Sequence, residues 1–182
     1  MRQSLGMIEV VSVPVGIEAA DAMLKASDVC LVTAQAVCAG KYAVAVTGDV
    51  ASVESSVAAG RAAAGMKLID SLVVPNIDEQ VPLAINMCSD PGEIHALGIM
   101  ETFSLCAAVL AADAAVKAAD VRLIEVRLGR GLGGKSFITL TGDVAAVEAA
   151  VRAAGEPEDI KGLIADRTVI PSPHPDIVKS VF

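Results

Sequence analysis

Leu5-Gly6-Met7-Ile8-Glu9 comes back as Leu97-Gly98-Ile99-Met100-Glu101, and the return continues along the chain. Asp21, Lys25, Asp28 and Val29 are answered 92 residues later by Asp113, Lys117, Asp120 and Val121. Past one turn the spacing becomes 94, so that Gly40-Lys41 matches Gly134-Lys135 and Thr47-Gly48-Asp49-Val50 matches Thr141-Gly142-Asp143-Val144. One fold written twice predicts two similar domains with pseudo-symmetry, a natural building block for rings and sheets.

The repeat divides the 182 residues into domains at 1–90 and 95–182, joined by the turn-rich Ser89-Asp90-Pro91-Gly92-Glu93. Domains of this size bury little of their surface and are marginal alone, so the halves are expected to pack on each other and on other chains. The composition is 54% hydrophobic but only 2% aromatic, with no Trp. Alanine and valine make flat, closely approaching surfaces rather than deep aromatic pockets, which favours an assembly protein over a small-molecule enzyme. Glu101 interrupts the most apolar stretch, 96–112, short of the roughly 20 apolar residues of a membrane span. No charged-then-apolar leader opens the chain; a cytosolic protein is expected, with no membrane partner. A net charge of −8 argues against nucleic acid, whose binding rests largely on Lys and Arg.

Within one copy, Gly6–Val13 reads as a strand ended by Pro14. Ile17, Ala20, Met23 and Leu24 fall at helical spacing, placing a helix over 15–27. Strands follow at 29–37 and 41–47, joined by the turn Cys38-Ala39-Gly40. Asp49 is placed to cap a helix over 50–64. A strand at 68–74 stops at Pro75, and 78–87 reads as a short closing helix. The second copy repeats this order through Val169-Ile170-Pro171. The fold class is α/β (α+β), a helical layer on a mainly antiparallel sheet, twice.

The order strand, helix, strand, turn, Gly-Lys, strand, Thr-Gly-Asp-Val, helix, strand, Val-Ile-Pro resembles the shell-protein domain of bacterial microcompartments. Leu5–Glu9, Ala20-Asp-Ala-Met-Leu-Lys25 and Val169-Ile-Pro-Ser-Pro-His174 carry the resemblance. Two ferredoxin-like domains in tandem are similar to the class in which three chains form a pseudohexameric tile. The resemblance implies a homotrimer in the bacterial cytoplasm, tiled edge to edge with other shell proteins around metabolic enzymes. It implies a central pore lined by 37–41 and 129–135, including Val37, Ala39, Gly40, Gly131, Gly133 and Gly134, and tile-edge positions for Lys25 and Lys117. The first copy has Val73-Val-Pro-Asn-Ile-Asp78, lacking the His174 that ends the second copy's motif.

The copies differ most at these loops. Copy one has Cys38 before Gly40-Lys41; copy two has a longer glycine-rich loop without cysteine. A cysteine in one copy only appears three times around a trimer axis. Three thiolates suit a soft metal centre, and on a cubane cluster, which commonly takes four cysteines, they leave one iron open. The loop is similar to that of iron–sulfur-carrying tandem shell proteins of propanediol-utilising compartments, where a cysteine before Gly-Lys is the ligand. The resemblance thus implies one [4Fe-4S] cluster per trimer on Cys38, serving electron transfer or cluster shuttling, with encapsulated redox enzymes as partners. The amides of Ala39 and Gly40 are the expected hydrogen-bond donors to sulfur. Cys30, Cys88 and Cys106 form no CxxC pattern and read as ordinary thiols. A shell tile with a plain metabolite pore, or a small ligand-binding trimer, are the alternatives.

Gly129-Arg-Gly-Leu-Gly-Gly134-Lys135-Ser136 also fits the phosphate-loop pattern. A phosphate loop leads into a helix whose first amides cradle the anion. Phe137-Ile-Thr-Leu-Thr141 instead reads as a strand, so nucleotide chemistry is set aside. Arg130 remains a candidate attractor of anionic metabolites. Glu9 and Glu101 recur symmetrically, which suits a structural role better than the asymmetry of an acid/base pair.

Overall fold

In the computed structural model, which describes residues 3–38 and 40–181, each copy of the repeat folds into a four-stranded antiparallel sheet carrying two principal helices. Copy one runs β1 (Ser4–Val10), α1 (Val13–Ala26), β2 (Cys30–Val37), β3 (Lys41–Gly48), α2 (Val50–Ala64) and β4 (Leu68–Val74). Copy two runs β5 (Ala96–Thr102), α4 (Leu105–Ala118), β6 (Val121–Arg127), β7 (Ser136–Gly142), α5 (Val144–Ala153) and β8 (Ile164–Pro171). The short helices α3 (Gln80–Ile85) and α6 (Pro175–Val181) follow the last strand of each copy. The sheet orders are β2-β3-β1-β4 and β6-β7-β5-β8. Met1–Pro82 with Gly129–Gly134 form one compact unit, and Leu83–Leu128 with Lys135–Phe182 the other.

Several boundaries differ from the sequence reading, two of them by more than a couple of residues or in kind. The first strand stops at Val10 rather than Val13, and Pro14 lies in the first turn of α1 instead of ending a strand. Proline lacks an N–H that the first helical turn leaves unpaired anyway, and its fixed φ suits that position. The expected helix over 78–87 is the shorter Gln80–Ile85. Asp49 caps α2, accepting from the Ser52 amide at 3.0 Å and the Ser52 hydroxyl at 2.6 Å. Those bonds, the hydroxyl's foremost, hold its carboxyl below the usual carboxylate range.

Side-chain size decides how closely helix meets sheet. Ile8, Val10, Met23, Val44, Val46, Val53 and Val57 form the core of the first unit, and burying a side chain of this size contributes about 1.5–3 kcal/mol. Gly16 on α1 sits against Tyr42 of β3, where an added Cβ would stand 2.4 Å from the Tyr42 Cβ. The second copy has Ala108 and Ser136 at the matching positions: the larger helix residue accompanies the smaller strand residue.

Gly16→Ala is therefore expected to destabilise the protein by about 1–3 kcal/mol through overpacking, measured by urea unfolding. Ala108→Gly should cost about 1 kcal/mol, the helix-propensity difference alone. An unchanged midpoint for Gly16→Ala would show that α1 can move off the sheet freely.

Candidate functional site

Each of the two strand-joining loops that the sequence singled out is followed by a lysine paired with a strand glutamate, which is buried in copy one and part-buried in copy two. Glu9 on β1 is only 2% exposed and accepts a 2.8 Å hydrogen bond from Lys41 Nζ. Lys41 opens β3, immediately after the turn that carries Cys38. The same pair recurs in copy two, where Lys135 Nζ meets Glu101 Oε2 at 2.6 Å. The Lys of each Gly-Lys motif is thus the counter-ion of a strand glutamate. β7 follows the glycine-rich loop, where a phosphate loop would open a helix.

Cys38 follows the last residue of β2, and its side chain is partly exposed. Loop 129–134 belongs to the same compact unit. The Cys38 amide donates to the Gly129 carbonyl at 2.8 Å, and the Gly131 amide donates to Cys38 Sγ at 2.8 Å. Gly129, Gly131, Gly133 and Gly134 all have positive φ, between 62° and 94°, a conformation open mainly to glycine. This winding turns successive amides toward one point, the arrangement of an anion nest. The amides of Leu132 first, then Gly131, Gly133 and Gly134, stabilise the thiolate; partial desolvation opposes them, and the Cys38 thiol is held below its ordinary range. Arg130, exposed in the same loop, donates to Gln35 Oε1 on β2.

The structure brings Cys38 together with Gly131, Gly133 and Gly134, and sets Val37 beside it, buried at the end of β2. Gly40 is exposed with a positive φ of 73°. Ala39 lies outside the described residues. The donor seen at the sulfur comes from the loop of the second copy, which the sequence reading did not name beside Ala39 and Gly40; the alternating glycines at 129, 131 and 133 were the available signal. Lys25 and Lys117 lie in the last turns of α1 and α4, away from these loops in sequence, paired with Asp21 and Asp113, both at 2.6 Å. Among the described residues of one chain, no three His, Cys, Asp or Glu side chains are grouped to hold a metal ion. Among them, too, no helix is long and apolar enough to cross a membrane.

The same sheet-and-helix unit occurs twice in the chain, and comparison with known proteins finds the same duplication. The chain belongs to the BMC domain family, whose model matches residues 4–77 and again 96–173. It is 43% identical over 174 residues to the bacterial microcompartment shell protein PduT of Citrobacter freundii, covering 96% of this chain and 95% of that one. It is 29% identical to the carboxysome assembly protein CcmO of Synechococcus elongatus, over 98% of this chain and 68% of the relative. A microcompartment protein from Desulfitobacterium hafniense superposes with a TM-score of 0.93 at 49% identity, over 99% of both chains. The protein is a structural component of a bacterial microcompartment shell, within the bacterial cytoplasm.

The amide nest makes a pH prediction. In metal-free Cys30→Ser/Cys88→Ser protein, alkylation of Cys38 by iodoacetamide should reach half its limiting rate below about pH 8.5, the ordinary cysteine value. Stabilising the thiolate moves the midpoint down; a midpoint at or above the ordinary value contradicts the nest.

Proposed function

We propose that this shell protein forms a homotrimeric, pseudohexagonal tile whose central channel holds one [4Fe-4S] cluster on three Cys38 thiolates, one per chain. The observation that carries the reading is the placement of Cys38: present in one copy only, at the tip of the β2–β3 turn, its sulfur partly exposed and already accepting an amide N–H. The residues fit such a group. Ligand sulfurs in iron–sulfur sites take N–H bonds that tune the potential, and the Gly131 amide is in position to give one. One chain supplies a single thiol, so a centre here needs several chains. When bound, the cluster would supply one-electron redox chemistry, suited to passing electrons across the shell or to cluster shuttling.

Burial supports the ring. Ile17 and Leu31 on α1 and β2 are 54% and 47% exposed, while their repeat counterparts Val109 and Leu123 are 0% and 1% exposed. An apolar face bare in one copy and covered in the other is what a head-to-tail assembly leaves on an isolated chain. Lys25, exposed at the end of α1, is assigned to edge contacts between tiles, with Lys117 as its copy-two counterpart and other shell proteins as neighbours. Encapsulated redox enzymes are the proposed source or sink of electrons. A second reading, a channel for anionic metabolites, is favoured by Arg130, which has no carboxylate partner among the described residues.

Protein purified without oxygen, or reconstituted with iron and sulfide, should show broad visible absorption at close to one cluster per three chains, lost in Cys38→Ser. Colourless wild-type protein after reconstitution removes the cluster and leaves the metabolite channel. Electron microscopy should show two-dimensional sheets for the wild type and dispersed tiles for Lys25→Ala; sheets from both would remove Lys25 from the edge.

A further inference from the structure

Two faces, one on each copy, carry opposite and uncommitted charge. We infer that in the proposed ring, on which this inference rests, α1 of one chain lies along the α5–β8 groove of a second copy, with Glu18 paired to Arg152 and Arg167. The charge pair marks the junction between chains.

Topology selects the two faces. In each sheet the second and fourth strands of the copy occupy opposite edges. α1 packs over β2 and β3, whereas α5 packs over β5 and β8. Head-to-tail repetition brings the edge formed by α1 and β2 of one chain against the edge formed by α5 and β8 of the next. The first edge offers the exposed apolar residues Ile17, Leu24 and Leu31, with Glu18 exposed beside them. The second has a groove of about 440 Å³ lined by Glu148, Val151, Arg152, Arg167, Thr168 and Val169.

Their charges are complementary and available. Arg167 gives one N–H to the Val151 carbonyl at 3.4 Å. Among the described residues, neither it, Arg152 nor Glu18 stands in an ion pair. Asp21, the next acidic residue on α1, is committed to Lys25. Glu148 shares the sign of Glu18 and lines the groove with the two arginines, without an ion pair to either among the described residues.

The repeat supplies an internal control. The counterpart of Glu18 is Leu110, that of Arg152 is Ala58 and that of Arg167 is Ser71. The acid is thus confined to copy one and the two bases to copy two. Since opposite charges across an interface fix register and partner more than raw affinity, this arrangement favours copy one meeting copy two over like meeting like.

Native mass spectrometry and sedimentation at micromolar chain concentration test this with the full chain. Wild type should be trimeric. Glu18→Arg should raise the concentration for half-assembly by about tenfold or more, through like-charge contact with the two arginines. Adding Arg152→Glu and Arg167→Glu to that variant should restore the trimer. Circular dichroism should report the same fold in all three, since the exchanged residues are exposed. A trimeric wild type whose assembly ignores Glu18→Arg, or whose triple variant fails to recover, overturns the pairing while leaving the ring intact. A wild type that is not trimeric overturns the ring itself.

Discussion

A carboxylate on an inner strand of each sheet, buried in the first copy and part-buried in the second, pairs with the lysine that follows each loop. Glu9 has almost no access to water and one cationic partner, Lys41. Removing one member of such a pair leaves an uncompensated buried charge, at a cost of about 3–5 kcal/mol. The lysine is consequently tied to the sheet, and with it the first residue of β3. The turn bearing Cys38 ends at an anchored point. Glu101 and Lys135 do the same at the end of the glycine-rich loop. Both loops can therefore be irregular at their tips while their return strands remain in register.

This pairing also accounts for what could be read from sequence at the site. The glutamates were visible as a repeated, symmetric pair, and the lysines as part of two Gly-Lys motifs. Their union was not legible, because 32 residues separate Glu9 from Lys41 and only the β1–β3 pairing, Glu9 beside Ala43, brings them close. The phosphate-loop match failed for the reason the sequence gives: β-branched and aromatic residues follow the motif. Cys38 stood out through its absence from the second copy. The donor to its sulfur did not, since Gly131 lies 93 positions away and its amide carries no side-chain signal.

The fold was more legible than the site. Internal repetition, alternation in the strands and the Asp49 cap specify the elements, and the family relationship covers both copies. The errors lay at punctuation. Pro14 looked like a stop because proline ends strands, yet it starts helices equally well, and periodicity alone does not separate these roles. Burial was the least legible property. Ile17 and Val109 are chemically alike and occupy the same repeat position, yet one is bare and the other covered. That difference follows neither from residue type nor from repeat position, the two things a sequence shows.

The exchange of bulk between Gly16 with Tyr42 and Ala108 with Ser136 has a consequence for how the polypeptide matures. Tandem copies of one fold are prone to misassembly, one half docking its helix on the other's strands. A helix carrying alanine meets the tyrosine ring when offered to the wrong sheet, and one carrying glycine leaves a void over the serine. The volumes of these four side chains thus favour each helix on its own sheet, independently of any charged residue.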